Sequence, residues 1–355
     1  QNYFAMRYGS FNDMSDFVSK VSLEGNFTEA ALNSDDIAYF APALESWKKN
    51  IRITGRIKGP VDNLVARNLI IEAGRDTYLN GTITLRGLPA IDKTYIDFIA
   101  NDFRTTYPDA VRLLPQVKNI QHPRLDKLEF VRFRGNFIGF VKDFVTYGTI
   151  NTKLGLVQTD INMKFPDEGL PAYSGTIKTE SFELGSFLNL TNIGNINFAD
   201  KVEGRGLTAN NLIAKLDGSI RSLDMNGYTY RDMVIKGEVA KRLFNGELVI
   251  NDPKLNARLN GLIDFSKDIP AFNFNADVAH ADLKNIRLVK DSIEVKGKFV
   301  MNFSGDNIDN FLGTARIYDA SVFKNGQRIT FDSLNVESKA MGTNKVITVL
   351  SNEFD

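Results

Sequence analysis

In this 355-residue chain no histidine, cysteine or known motif is spaced to break bonds or hold metals, and carboxylate pairs are left for the fold to assemble. The two histidines, His122 and His280, lie far apart, and neither has a second histidine at ligand spacing. Cysteine is absent, which removes disulfide scaffolds, thiolate zinc sites and cysteine nucleophiles. No Gly-x-Ser-x-Gly, P-loop or His-Glu-x-x-His motif occurs. Gly204-Arg-Gly206-Leu-Thr-Ala209 superficially resembles a dinucleotide fingerprint but lacks the long helix that should follow it. Asp306, Asp309 and Asn310 are not at the 1-3-5 spacing of a calcium loop, and turn formation accounts for them. The 43 Lys+Arg balance 43 Asp+Glu, so there is no electrostatic footprint for nucleic acid. The residues thus point to no catalytic activity, no cofactor and no metal. What remains is an abundance of apolar side chains, 26 Phe among them, at a spacing that could shield something apolar.

The elements that carry them are strands. Ile293, Val295, Gly297, Phe299, Met301 and Phe303 alternate with Glu294, Lys296, Lys298, Val300 and Asn302. Leu255, Ala257, Leu259, Gly261, Ile263 and Phe265 do the same, as do Val157, Thr159, Ile161, Met163 and Phe165, and Phe272, Phe274, Ala276 and Val278. A period of two sorts side chains onto the two faces of a sheet. About twenty such segments of roughly 5–12 residues follow one another, broken by Gly, Asn, Asp and Lys. Lys324-Asn-Gly-Gln327 reads as a hairpin turn. Of the other Asn-Gly pairs, Asn80-Gly81 and Asn260-Gly261 fall inside strand patterns, and Gly55, Gly59, Gly135, Gly139, Gly175, Gly237 and Gly297 also interrupt strands. Glycines at such positions mark bends or bulges, so a strongly curved sheet is predicted.

Helical signals are short. The Asn33–Asp36 cap before Ile37, Phe40, Ala41 and Leu44 predicts a helix over 34–46. Thr105 to Pro115 predicts a second, over 105–114. Segments 183–189 and 306–312 are each long enough for a turn or two. Helix content above about one third would contradict an all-β reading. Residues 51–65 repeat at 131–145, with Arg52/Arg132, Gly55/Gly135, Gly59/Gly139, Val61/Val141 and Val65/Val145 identical. The organisation expected is three segments: 1–116, 117–200 as a repeat of the first, and 201–355. No stretch reaches the ~18 apolar residues of a spanning helix. The sequence reads as an internal piece of a longer chain.

The apolar alternates are expected to share one interior. In the first half these are Ile51, Ile53, Ile57, Leu79, Ile83, Leu85, Val131, Phe133, Phe137, Ile161 and Met163. Farther along they are Leu255, Leu259, Ile263, Phe272, Phe274, Ile293, Val295, Phe299 and Met301. The helices are too few to cover them, which favours an open apolar groove over a closed core.

Several motifs together resemble one family. They are Ile51-Arg-Ile-Thr-Gly-Arg-Ile-Lys-Gly-Pro-Val-Asp-Asn-Leu64, Asn68-Leu-Ile-Ile71 and Thr82-Ile-Thr-Leu-Arg-Gly-Leu-Pro89. The match continues through residues 137–152, Tyr173-Ser-Gly-Thr-Ile177, Phe182-Glu-Leu-Gly-Ser-Phe-Leu188 and residues 303–311. Their order resembles the AsmA-like superfamily, specifically the TamB (translocation and assembly module) branch of Bacteroidetes-type bacteria. The resemblance implies an elongated, antiparallel-rich sheet folded like a taco shell, with an apolar inner groove that would be lined by the residues just named. It implies a periplasmic protein of a diderm bacterium, tethered to the inner membrane by a segment outside this chain. Phospholipid or other acyl chains, and an outer-membrane barrel of the Omp85 type, would be its partners. Lipid transport to the outer membrane, support of outer-membrane protein assembly, or both would be its role. The resemblance brings no catalytic residues.

Two other readings share the alternation. One is a structural or adhesive all-β protein with a closed core and no lipid. The other is a transmembrane barrel, which a single Trp and the absence of aromatic girdles disfavour.

Overall fold

The computed structural model describes residues 2–33, 50–208, 210–306, 309–324, 326–341 and 344–351. Of these residues 68 % are strand and 10 % helix, so the chain is all-β. The predicted helix over 34–46 and Trp47 lie outside the described residues.

The chain divides into two compact units, residues 1–182 with 186–189, and residues 183–185 with 190–355. The first unit holds β1 (Tyr3–Arg7), β2 (Ser22–Asn33), β3 (Asn50–Gly59), β4 (Asn63–Ala73), β5 (Thr77–Arg86), β6 (Tyr95–Thr106), β7 (Phe130–Phe140), β8 (Asp143–Thr152), β9 (Gly155–Lys164) and β10 (Ala172–Glu180). Each strand pairs antiparallel with the next in sequence, and among the described residues β1 pairs only with β2; the sheet does not close into a barrel. The second unit begins after the short β11 (Phe182–Glu183). It holds β12 (Ile193–Arg205), β13 (Ile213–Met225), β14 (Tyr228–Ala240), β15 (Leu243–Asp252), β16 (Leu255–Asp264), β17 (Ala271–Asp282), β18 (Ile293–Ser304), β19 (Leu312–Lys324), β20 (Gln327–Met341) and β21 (Asn344–Ser351). These too pair in sequence order and antiparallel.

In the first unit the bend has an atomic cause. Bulges interrupt β2 between Phe27 and Ala30, β4 between Ala66 and Leu69, and β6 between Ala100 and Phe103. The strands between them carry glycine at the same level, namely Gly55 on β3, Gly81 on β5 and Gly135 on β7. A Cβ at Gly55 would lie 2.9 Å from the Asn68 carbonyl oxygen, and one at Gly81 would lie 2.1 Å from that of Ile99. The bulge pushes a carbonyl toward its neighbour, and only a residue without a side chain can receive it. Bulges bend strands, so a row of them curves the sheet along one line. The second unit has a comparable row, with Gly237 opposite Gly246 and Gly246 opposite Gly261. Asn245-Gly246 therefore lies inside a strand, where only Asn80-Gly81 and Asn260-Gly261 were expected. At the offset-80 positions the paired glycines share a left-handed backbone. Gly55 and Gly135 have φ +138° and +152°, and Gly59 and Gly139 have φ +119° and +131°.

Three short α-helices occur among the described residues: α1 (Phe17–Lys20), α2 (Tyr107–Leu113) and α3 (Leu184–Leu188). The latter two match the signals at 105–114 and 183–189. No helix was anticipated at α1, although Gly9 and Ser10 both donate backbone N–H to Asp13 just before it. A 3₁₀ turn (Phe11–Asp16) and α1 bring Met14, Phe17 and Val18 onto buried Val21, Leu23, Val61 and Leu88, covering one end of the strands. Leu113 of α2 packs on Ile51 and Ala73 at the opposite end.

Helix α2 is anchored by Asp109, which is 1 % exposed. Its Oδ2 accepts the backbone N–H of Arg75 at 2.8 Å, Asp76 at 2.5 Å and Thr77 at 3.1 Å, closing the β4–β5 turn, and Arg112 pairs with its Oδ1. Burial pushes its pKa up. The N–H groups of Asp76 and Arg75 and the Arg112 guanidinium outweigh this and hold the carboxyl below the ordinary carboxylate value. A depressed folded-state pKa contributes stability that is present above the unfolded value of about 3.9 and is lost as pH falls through the folded value. Asp109→Asn is expected to destabilise the first unit at neutral pH by about 1–3 kcal/mol. Acid titration of thermal melts should show the variant and wild type converging below about pH 4. A pH-independent difference would contradict this account.

Candidate functional site

Register decides which side chains share a face, because directly opposed residues of an antiparallel pair point the same way. In the first unit one row runs Ile57–Ala66–Ile83–Phe98–Phe137–Thr146–Ile161 across seven strands. A second runs Ile53–Ile71–Leu79–Phe103–Phe133–Ile150–Val157. A third joins Leu64, Leu85, Ile96, Gly139, Phe144 and Met163. Between the first two lies the row of Gly81, Ala100, Gly135 and Gly148. Ile51, opposite Ala73, and Val131, opposite Thr152, end the same face. All the first-half residues singled out in the sequence therefore lie on one face.

The second unit repeats the arrangement. Phe244, Ile263, Phe272 and Phe303 form one row, and Leu248, Leu259, Ala276, Phe299 and Ile317 another. Gly261, Phe274, Met301 and Ala315 lie between them. The ring of Phe272 stacks on that of Phe303 with centroids 4.8 Å apart. Leu255 and Val295 are both opposite Ala281 and end the face, with Ile293 two residues beyond Val295.

Exposure distinguishes this face from a protein core. Of the apolar residues named from the sequence, only Ile51 and Ile161 are buried, at 8 % and 9 % exposure; the others are half-buried. A sealed core would bury most of them. The opposite face is polar and solvated, with Arg52–Glu72, Arg132–Asp102, Lys236–Asp217 and Arg258–Glu247 ion pairs.

No protein-family model, curated protein or solved structure matches the chain. The site must therefore be read from its own geometry.

Two buried carboxylates lie on the second unit's apolar face, Asp252 at its end opposite Leu255 and Asp200 within it. Asp200 of β12 points the same way as Phe198 and Val202 and is 6 % exposed. Its carboxyl lies over Gly218, where a Cβ would come within 2.4 Å of its Cγ. Oδ1 accepts the Asp217 N–H at 2.8 Å, while Oδ2 is buried without a partner. Burial pushes its pKa above the ordinary value, against the pull of the Asp217 and Lys201 N–H groups. A raised acid pKa means the fold favours the protonated form and loses stability as pH rises past about 3.9. Asp200→Asn is expected to stabilise the second unit at neutral pH by on the order of 1 kcal/mol, with the gain vanishing below about pH 4. Thermal melts across pH test this, and a destabilised variant at pH 7 would contradict it.

A cleft of about 790 Å³ lies at one end of the first unit's face, where Ile51, Ala73 and Val131 line it with the Asn50, Thr77 and Thr106 strand ends. Three of its four arginines are engaged: Arg52 with Glu72 at 2.9 Å, Arg132 with Asp102 at 2.6 Å, and Arg104 over the Tyr78 ring at 4.5 Å. His122 is exposed in a loop. His280, expected after a strand, sits within β17 beside its bulge, opposite Asn256. Among the described residues no group of His, Asp and Glu could hold a metal, and no helix is long and apolar enough to cross a membrane.

The sequence reasoning missed β4, β6, β8 and β15. Ile71, Phe98, Phe103, Ile150 and Leu248 belong to the same faces as the residues it named. Bulges hide the pattern on β4 and β6: Leu64 and Ala66 are out of phase with Leu69 and Ile71, and Phe98 is out of phase with Phe103. On β8 the alternates include Thr146, Gly148 and Thr152, which carry no apolar signal.

Proposed function

We propose that the apolar faces shield lipid acyl chains, as in bridge-like proteins of the AsmA/TamB type. The observation that carries this reading is continuous rows of half-exposed Ile, Leu, Val and Phe crossing many strands. Such area in water is costly at about 25 cal/mol per Å² and is relieved by an apolar occupant. Acyl chains fit better than a compact ligand, because the rows continue from strand to strand and polar groups on them are few. In this reading the chain works in the periplasm of a diderm bacterium. It carries phospholipid toward the outer membrane or supports assembly of proteins there, with an Omp85-type barrel as partner through other parts of the protein. The half-exposure of the faces argues against a closed-core structural or adhesive protein. Native mass spectrometry and lipid extraction of detergent-free protein test the reading. Copurifying or exchangeable phospholipid is the expected result, and protein that neither carries nor takes up lipid would overturn it.

A further inference from the structure

We propose that the loop between β17 and β18, residues 283–292, docks on a lipid surface bearing anionic headgroups. The inference stands on the loop's own geometry and does not depend on what the apolar faces carry.

The loop is held in place rather than merely linking two strands. Ile286 is 1 % exposed, and its carbonyl accepts the Tyr230 hydroxyl of β14 at 3.4 Å. Its N–H donates to the Asp282 carbonyl at 3.1 Å, and the Leu288 N–H donates to that of Leu283 at 2.9 Å. Asp282 also accepts from the Asn285 side chain at 2.5 Å. With Ile286 sunk, the next turn faces water: Leu288 is 61 % exposed and Val289 36 %.

A single exposed leucine is unremarkable in itself. What gives this one meaning is the charge around it. Lys284, Arg287 and Lys290 are all exposed, and none makes an ion pair among the described residues. The two nearby acids are occupied elsewhere, Asp282 by Lys254 at 3.3 Å and Asp291 by Lys324 at 2.9 Å. A chain of zero net charge thus gathers unneutralised cations around one projecting apolar tip. That combination suits an interface of anionic lipid, with the apolar tip entering the headgroup boundary and the cations meeting phosphates. An acidic protein would match the cations, but a projecting tip would also require a pocket in it.

Flotation with phosphatidylcholine vesicles, with and without phosphatidylglycerol, tests the proposal. The wild-type protein should float with the anionic vesicles on the order of tenfold more than with neutral ones, and salt should weaken this binding. Leu288→Ser and the double variant Lys284→Gln/Lys290→Gln should each lose most of the binding while melting as wild type does. Ile263→Asp, altered on the apolar face, should keep it, which separates this surface from acyl-chain uptake. Absence of flotation, equal binding to neutral vesicles, or binding untouched by both loop variants would overturn the proposal. The last result would leave an acidic protein as the occupant.

Discussion

Phe299→Arg is expected to purify as a folded protein and, if the proposed function holds, to lose the lipid that copurifies with the wild-type chain. Phe299 sits mid-row on β18, between Ala276 and Ile317, and is half-buried. A guanidinium placed there can extend its stem along the apolar surface and keep its head in water, so the sheet survives. An acyl chain crossing the same point would have to desolvate the charge, at a cost of several kcal/mol. Since about 1.4 kcal/mol is tenfold in affinity, copurifying lipid should fall by at least about tenfold. Ile263→Asp, two rows away, should behave alike. If these side chains lined a sealed core, both variants would aggregate or unfold. Circular dichroism melts followed by lipid mass spectrometry read out both quantities on the same sample. A well-folded variant that keeps its full lipid complement would defeat the transport reading.

Gly135→Ala should cost the first unit about 3 kcal/mol or more, the second large effect. The added Cβ would lie 2.1 Å from the Tyr147 carbonyl oxygen and 2.6 Å from the Gly148 Cα. Both are backbone atoms of the paired strand, so no side chain can rotate away, and φ is already +152°. Gly326→Ala is the matched control. It has φ +82° but nothing within 4 Å, and should cost only about 1 kcal/mol of backbone strain. Urea melts of the two variants separate close approach from strain. Equal, mild losses would mean that the glycine row is not what forces the strands together.

Much of this fold was legible because alternation survives translation into structure wherever strands are regular. β3, β5, β7, β9, β16 and β18 could be read with the correct face from sequence, and each runs without a bulge of its own through most of its length. β4 and β6 could not, since one extra residue at a bulge inverts the phase of everything beyond it. Whether a glycine ends a strand, kinks it or receives a neighbour's carbonyl depends on the register of the pairing strand. For that reason Asn245-Gly246, not among the pairs read inside a strand pattern, lies mid-strand. The α1 segment was missed because it is a single turn whose N-cap, Asp16, makes no side-chain capping hydrogen bond, in a stretch that otherwise reads as a loop. Asp200 could not have been anticipated, since an isolated aspartate among alternating residues normally faces water. Its place on the apolar face follows from regular alternation with Phe198 and Val202.

The spacing of the 80-residue repeat bears on how such a chain can lengthen. Its two copies begin on β3 and β7, so one period carries four strands, an even number. Duplicating an even number of strands returns the polypeptide in its original direction, and the duplicated segment meets the sheet in the same orientation it left. Duplicating an odd number would reverse the chain and oppose every bulge to the wrong side of its neighbour. Strands that pair only with their sequence neighbours can therefore be copied in pairs of hairpins without rebuilding distant contacts. Selection acting on reach alone could tune the length of this protein by unequal recombination, while each new copy arrives already carrying its glycines and its inward rows.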